Sequence, residues 1–434
     1  MNTNTKHILF LLFFVILPFF AGAQTTHSAD FHNRYTLSEV VVLSRHNIRS
    51  PLSGKGSAIE RITPHNWYSW TSEPSYLSTK GGIMETMMGQ YFHRWLVKER
   101  LFSEVEELNS DEIRVYANSV QRTLATAHYF MSGFMPTANI HVEHHCDVGI
   151  MDSIFTPQIR YVDEEFCKKA FSEIAEMTGE KVKTHKVSPS IYYCIMKNTH
   201  KKLANNYESL SKVLDMQNSP ACKYGDTCGF VESDTIWLRM LQEPQTTGSL
   251  KLASMASDAL ILQYYEETND TKAAFSHKLT INDWLQISGV KDWYGDVLFT
   301  APTIARQVAE PLLCEIAKEL SFPNRKFSFL CGHDSNIASV LAALGVTNYS
   351  LPNTIESKTP IGAKLVFEKW MDTQGEYYIS VNLMYHSTNQ IRLGQYEPNG
   401  NEPIIFPIHF DGLQTNVDGL YSFNDIIEIL NYHK

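Results

Sequence analysis

An apolar run over residues 40–43 stands directly before a basic heptad, Arg45-His46-Asn47-Ile48-Arg49-Ser50-Pro51. The apolar run predicts a buried strand. Guanidinium groups bind phosphate oxygens bidentately, and an imidazole between them can attack the phosphorus that they hold. The pattern therefore predicts a phosphate-binding loop at the end of a strand, with a loop that is merely basic as the alternative.

Two further apolar runs are each followed by side chains that could bind phosphate or transfer a proton. Residues 113–117 precede Arg122, and residues 326–330 precede His333 and Asp334. Strands that alternate with helices predict an α/β fold, a mainly parallel central sheet flanked by helices. Ligands bind beyond the carboxyl ends of such strands. We therefore expect all three strand ends to contribute to one site.

The domain organisation follows from composition. Residues 163–214 are rich in Lys, Glu and helix formers and show little strand signal. We expect a smaller, mostly helical insertion over 151–250, between two parts of the α/β catalytic domain, 24–150 and 251–434. The apolar patterns at 363–369 and 376–384 predict a late antiparallel pair of strands.

The N-terminus resembles a secretory signal peptide over residues 1–23. Lys6 precedes an apolar run over 8–20, and Ala21-Gly22-Ala23 provides a small-residue cleavage site. A membrane anchor is the alternative, but the run is short for a span and no second apolar segment of about 18 residues follows. We expect cleavage after Ala23, a periplasmic or secreted protein, and no membrane association afterwards.

The net charge bears on possible partners, and the cysteine content bears on disulfide bonds. The chain carries 37 Lys and Arg against 47 Asp and Glu, a formal net charge of −10, which argues against nucleic acid. Seven cysteines in an exported protein allow disulfides, and a local bridge between Cys222 and Cys228 is expected. The oligomeric state stays open between a monomer and a homodimer.

These residues together resemble a known family. The heptad is similar to the RHGxRxP signature of the histidine acid phosphatases (histidine phosphatase superfamily, branch 2), and His333-Asp334 to their distal HD pair. The resemblance extends through most of the chain and is strongest to the bacterial periplasmic glucose-1-phosphatase branch, beside the periplasmic phytases. It implies a histidine phosphatase/phosphoglycerate mutase-like fold. Asn47 stands where most members have Gly, as that branch also shows, and Asn tolerates left-handed backbone angles.

The resemblance implies a role for each matching residue. His46 would be the nucleophile that forms a phosphohistidine, while Arg45, Arg49, Arg122 and His333 would hold the phosphate. Asp334 would be the general acid, with helix N-capping as an alternative or additional role. No metal and no organic cofactor is expected.

Glu243 occupies the place where the glucose-1-phosphatase-like branch has an acidic residue near the pocket mouth. A carboxylate there would repel highly phosphorylated substrates and bond sugar hydroxyls. An ordinary surface glutamate is the alternative interpretation.

Two other patterns carry weaker predictions. His141, Glu143 and His145 alternate, as ligands on one strand face would, but no fourth metal ligand accompanies them at a recognised spacing. Residues 53–57 are rich in glycine and serine but lack the P-loop spacing, so no nucleotide site is expected.

The sequence thus predicts an exported acid phosphomonoesterase acting on small phosphomonoesters, sugar phosphates of the glucose 1-phosphate kind and inositol phosphates. The alternatives are a phytase acting mainly on inositol hexakisphosphate, a phosphoglycerate mutase-like phosphotransferase and a non-catalytic phosphosugar-binding protein. Intact His46 and Asp334 argue against the last alternative, since binding needs neither a nucleophile nor an acid.

Overall fold

A computed structural model describes residues 27–53, 56–103, 111–346, 348–394 and 402–431. The predicted signal peptide lies outside these described residues. Within them, no helix combines the length and the apolar character that a membrane span requires.

The helices of the described residues are, in chain order, α1 (Ala29–Arg34), α2 (Ala58–Arg61), α3 (Thr79–Lys98), α4 (Gln121–Phe134), α5 (Glu164–Thr178), α6 (Thr199–Lys202), α7 (Ala204–Val213), α8 (Pro220–Lys223), α9 (Ser249–Glu266), α10 (Asp270–Ala273), α11 (Ile281–Phe299), α12 (Pro302–Leu320), α13 (Asp334–Ala343), α14 (Thr388–Leu393) and α15 (Phe423–Asn431). A 3₁₀ helix over Met216–Asn218 stands between α7 and α8.

The strands are β1 (Tyr35–Arg45), β2 (Ile113–Ala117), β3 (Val142–Glu143), β4 (His185–Ser188), β5 (Ile191–Met196), β6 (Asp234–Arg239), β7 (Gln245–Thr247), β8 (Phe327–Gly332), β9 (Lys364–Asp372), β10 (Tyr377–Tyr385), β11 (Ile404–Pro407) and β12 (Tyr421–Ser422).

The central sheet has the strand order β11-β10-β9-β1-β8-β2-β3, with β12 beside β10. Strands β1, β8, β2 and β3 pair in parallel, whereas β9, β10, β11 and β12 pair antiparallel. The predicted α/β fold with a parallel core is confirmed, as is the late antiparallel pair, now β9 and β10.

Strand β1 is buried on both faces of the sheet. Val41 and Leu43 pack in the apolar cluster that contains residues of α12 and α13. Val40 and Val42 pack on the other face, in the cluster that contains residues of α3 and α4. Because helices cover both faces, every position of this strand can be apolar, and the continuous run 40–43 is the result.

The segment 151–250 contains helices α5 to α8 and also a four-stranded antiparallel sheet in the order β4-β5-β6-β7. The sequence interpretation missed this sheet. In β5, Tyr192, Cys194 and Met196 are buried, whereas the residues that alternate with them are half-buried. One face of this small sheet is therefore buried, but the segment around it is rich in helix formers. The predicted Cys222–Cys228 bridge is present. The domain boundaries stay predictions.

Candidate active site

The parallel pairing of β1, β8 and β2 brings three strand ends to one edge of the central sheet. Arg45 lies opposite Gly332, and Ala117 lies opposite Cys331. These strand ends border a cavity of about 530 Å³, which residues of α9, α11 and the loop between β6 and β7 also line. Of the residues predicted from the sequence, Arg45 is not among the lining residues; those that line the cavity are His46, Arg49, Arg122, Glu243, His333 and Asp334.

His46 is buried and has a defined tautomer. Its Nδ1 lies 2.9 Å from the backbone carbonyl of Asn47, which can only accept a hydrogen bond. Nδ1 therefore carries the proton, and Nε2 keeps its lone pair. Burial, with the charges of Arg122 and Arg49, holds the pKa of His46 well below its usual value. The neutral form of the imidazole is therefore favoured.

Asn47 does not use the left-handed backbone that the sequence interpretation assigned to it, since it is absent from the non-glycine residues with positive φ. Its side chain explains its presence instead. Nδ2 donates to Oε2 of Glu85 at 2.7 Å, and Oδ1 accepts from the backbone N–H of Ile48 at 2.9 Å. These bonds fix the peptide whose carbonyl orients His46.

The charges of three guanidinium groups act on His46. Arg45 donates to Glu356 at 2.7 Å, and Arg49 donates to Asp258 at 3.0 Å. The buried Nε atoms of Arg45, Arg49 and Arg122 find no acceptor among the described residues. Burial and the charge of Arg49 lower the pKa of Arg122 to about 10. Crowded cations with unused donors suit an anionic ligand.

His333 presents a donor beside Arg122. Nδ2 of Asn118 donates to Nε2 of His333 at 2.7 Å, which places the proton of a neutral ring on Nδ1. The Asn118 amide is oriented because its Oδ1 accepts from the backbone N–H of Asp152 at 2.9 Å. Nδ1 lies 3.5 Å from Nη2 of Arg122, so both groups can donate to one anion.

Asp334 is the first residue of α13, and His333 occupies the N-cap position. The alternative that Asp334 is the N-cap is therefore wrong. Its Oδ2 lies 3.2 Å from Nζ of Lys291 and 3.6 Å from Nη2 of Arg45. Burial alone would raise the pKa of Asp334, but these two cations outweigh it and hold the pKa well below the usual value.

Lys291, on α11, is a charged residue of the site that the sequence interpretation missed. Its Nζ lies 2.9 Å from Oε1 of Glu356 and 3.8 Å from Oδ1 of Asp258. Burial opposes ionisation of Glu356, but Arg45 and Lys291 lower its pKa to about 2. Lys291 thus connects the partners of Arg45 and Arg49 to Asp334. No motif in the sequence signals it.

Glu243 lies in the loop between β6 and β7 and contributes to the cavity wall. The loop is tied down by two backbone hydrogen bonds, from Leu241 to Ile159 at 2.7 Å and from Ile159 to Gln242 at 2.9 Å. Burial, with the nearby negative charge of Asp334, raises the pKa of Glu243. The interpretation of Glu243 as an ordinary surface glutamate does not fit this position.

The alternating residues His141, Glu143 and His145 do not form a group of three ligands. Glu143 instead accepts from Nε of Arg114 at 3.0 Å. Among the described residues, three potential ligands come within reach of one ion at His65, Asp215 and His277.

Comparisons with known proteins agree with this geometry. The family model of the histidine phosphatase superfamily (branch 2) matches residues 36–385. The glucose-1-phosphatase of Salmonella typhimurium is 37% identical over 385 residues, covering 87% of this chain and 86% of that protein. The glucose-1-phosphatase of Providencia rettgeri is 32% identical over 416 residues, covering 94% of each.

The apo form of Hafnia alvei phytase superposes with a TM-score of 0.80 at 23% identity, covering 92% of this chain and 97% of that one, which shows the shared fold. The family match and the two glucose-1-phosphatases confirm the resemblance inferred from the sequence. The chain belongs to the histidine phosphatase superfamily, branch 2, and is a phosphatase that hydrolyses phosphate esters.

Proposed function

We propose that this phosphatase acts outside the cytoplasm on sugar monophosphates of the glucose 1-phosphate kind, through a phosphohistidine on His46. One observation carries the proposal: a neutral imidazole with an available Nε2 lone pair shares a single cavity with Arg49, Arg122 and Asp334. Such a set can bind a phosphoryl group, attack it and protonate the departing alcohol.

In the first step, Nε2 of His46 attacks phosphorus while the bond to the sugar oxygen breaks. Arg49, Arg122 and Nδ1–H of His333 hold the phosphoryl oxygens, and the buried guanidinium of Arg45 near Asp334 helps to neutralise their charge. The leaving alkoxide takes a proton from Asp334. The carbonyl of Asn47 stabilises the positive charge that the substituted imidazole then carries, through the same Nδ1–H bond.

Asp334 needs a source for that proton, because Lys291 and Arg45 keep it ionised before substrate binds. A phosphate monoester has a second pKa of about 6, so at acidic pH it arrives as a monoanion carrying one proton. Bound beside Asp334, the substrate transfers this proton to the carboxylate, and the resulting dianion raises the pKa of the carboxyl group.

In the second step, water attacks the phosphohistidine and loses a proton to the Asp334 carboxylate. The P–N bond breaks, inorganic phosphate leaves, and His46 returns to its neutral form. The proton that Asp334 took from water then passes to the departing phosphate, which leaves as a monoanion. The carboxylate thereby returns to its ionised form, and the proton that entered with the substrate leaves in the alcohol.

When all of its carboxylates are ionised, the charge balance of the cavity favours a substrate with one phosphate. Five basic and five acidic side chains line it: Arg49, Arg122, Lys251, Lys291, Lys358, Glu243, Asp258, Asp292, Asp296 and Asp334. A hexakisphosphate would need a surplus of positive charge beyond the phosphoryl site. The names of the two glucose-1-phosphatases point the same way. A phytase that prefers inositol hexakisphosphate is the rival.

The proposed roles of His46 and Asp334 can be distinguished with two substrates whose leaving groups differ in their need for a proton. His46→Ala should lose at least about 10³-fold in kcat on both glucose 1-phosphate and p-nitrophenyl phosphate, because no phosphohistidine can form. Asp334→Asn should lose roughly 10²- to 10⁴-fold on glucose 1-phosphate but far less on p-nitrophenyl phosphate, whose phenolate leaves without a proton.

The matched control is Asp226→Asn, an exposed carboxylate paired with Arg61, which should leave both rates unchanged. Equal losses of Asp334→Asn on the two substrates would argue against the proposed acid.

Glu243→Gln should shift substrate preference toward inositol hexakisphosphate. Removing one negative charge from the cavity wall should raise the ratio of kcat/KM for inositol hexakisphosphate over glucose 1-phosphate roughly five- to tenfold. Because the pKa of Glu243 is raised, the carboxyl group is neutral at low pH, so the difference from the wild type should grow as pH rises. The control is Glu232→Gln, which removes an exposed acid outside the cavity and should leave the ratio as in the wild type. An unchanged ratio in Glu243→Gln would contradict the proposed role of Glu243.

Lys291→Met should extend activity to higher pH. Lys291 lowers the pKa of Asp334, so its removal raises that pKa and keeps the acid protonated further up the pH scale. The high-pH limb of the kcat profile should move up by about 1 pH unit. Lys291→Arg keeps the charge and should leave the limb in place; a limb that stays unmoved in Lys291→Met would contradict this control of Asp334.

Export can be read from the N-terminus of the protein. If residues 1–23 are removed on export, protein collected outside the cytoplasm should begin at Gln24. N-terminal sequencing or intact mass measures this. Recovery of only cytoplasmic protein that retains residues 1–23 would overturn this part of the proposal.

A further inference from the structure

Three potential metal ligands from three separate segments meet outside the catalytic cavity. His65 follows α2, Asp215 lies between α7 and the 3₁₀ helix, and His277 follows α10. Nε2 of His65 is 2.6 Å from Oδ2 of Asp215, and Nε2 of His277 is 3.0 Å from the same oxygen. None of the three lines the cavity that contains His46.

The donor set and its spacing fit a divalent transition metal. One atom from each residue lies within 4.8 Å of the others. Two imidazole nitrogens and a carboxylate oxygen suit Zn²⁺, Ni²⁺ and Cu²⁺ better than Mg²⁺ or Ca²⁺. Bonds of about 2.0–2.2 Å place tetrahedral ligands roughly 3.3 Å apart. Each imidazole nitrogen, now 2.6 or 3.0 Å from Oδ2 of Asp215, must therefore move roughly 0.3–0.7 Å away from that oxygen.

The surroundings leave room for an ion and its water. The side chains of His65, Asp215 and His277 are 30%, 32% and 24% exposed, so an ion can enter and solvent can complete its coordination. The ring of Phe275 stacks on His65 with centroids 5.0 Å apart, and Phe275 is itself buried. This contact limits the orientations of the His65 imidazole.

The backbone holds two of the three ligands in place at a cost. Asp215 has a φ of 48°, and Phe275 and Ser276, directly before His277, have φ of 50° and 74°. Left-handed conformations at residues other than glycine are strained and concentrate at ligand sites. At this cluster they turn Asp215 and His277 toward His65.

We propose that His65, Asp215 and His277 form a site for a divalent transition metal, separate from the catalytic centre. The ion would link the three segments that follow α2, α7 and α10. The competing explanation is a metal-free clamp in which Oδ2 of Asp215 accepts a hydrogen bond from each imidazole. The two explanations differ in whether the cluster binds an ion stoichiometrically.

The test uses tag-free full-length protein, stripped with a chelator and titrated with ZnCl2 by calorimetry. We expect one equivalent bound and a higher thermal unfolding midpoint in the presence of Zn²⁺. Co²⁺ should give visible absorption at the same stoichiometry. His65→Gln/His277→Gln should weaken Zn²⁺ binding at least tenfold, while retained hydrolysis of p-nitrophenyl phosphate shows that the variant is folded.

Asp215→Asn separates the two explanations. An amide oxygen still accepts from both imidazoles but is a poor metal ligand, so this variant should keep the metal-free unfolding midpoint and lose Zn²⁺ affinity. The matched control is His145→Gln, which removes another exposed histidine beside an acidic residue, Glu143. This variant should bind Zn²⁺ as the wild type does.

Absence of stoichiometric Zn²⁺ and Co²⁺ binding in the wild type would overturn the metal site. Binding that survives in His65→Gln/His277→Gln, or that disappears in His145→Gln instead, would overturn its location.

Discussion

The arrangement of the catalytic groups depends on the parallel pairing of β1 with β8. The backbone N–H of His46 donates to the carbonyl of Gly332 at 3.0 Å, so His46 and the pair His333-Asp334 leave the sheet side by side. A register slip of one residue would turn every side chain of the strand to the opposite face. Gly332 itself is required by close packing, because a Cβ there would lie 2.3 Å from Oδ1 of Asn336, which accepts from the His333 amide.

A buried charge pair supports the loop that follows β1. Lys364 of β9 and Glu85 of α3 are fully buried, with Nζ and Oε1 2.7 Å apart, and Glu85 also accepts from the side chain of Asn47. Burying two ions is costly unless each is paired and hydrogen-bonded, and removing one partner is strongly destabilising. The peptide that orients His46 is therefore attached to two layers of the fold through directional contacts, which specify position more sharply than apolar packing alone.

The strand ends could be predicted because each functional side chain is close in sequence to the strand that carries it. This holds for His46, Arg122 and Asp334. Lys291 could not be found in this way, since α11 packs against α5, α7, α9 and α13, so its apolar residues lie on several sides and show no single amphipathic face. Its partner Glu356 comes from a loop far along the chain, and only tertiary structure brings the two together. The small sheet was missed for a related reason: short strands that are half-buried carry little signal among helix formers.

In the proposed mechanism, reaction chemistry and substrate preference come from different structural elements. His46, His333 and Asp334 follow strands of the central sheet, whereas Glu243 lies on a hairpin of the small sheet, joined through backbone hydrogen bonds to Ile159. Substitutions within residues 240–244 can therefore remodel the wall that meets the alcohol part of a substrate without touching the pairing of β1 and β8. Such a division allows substrate preference to be altered in this one loop while the side chains that follow β1, β2 and β8 stay unchanged.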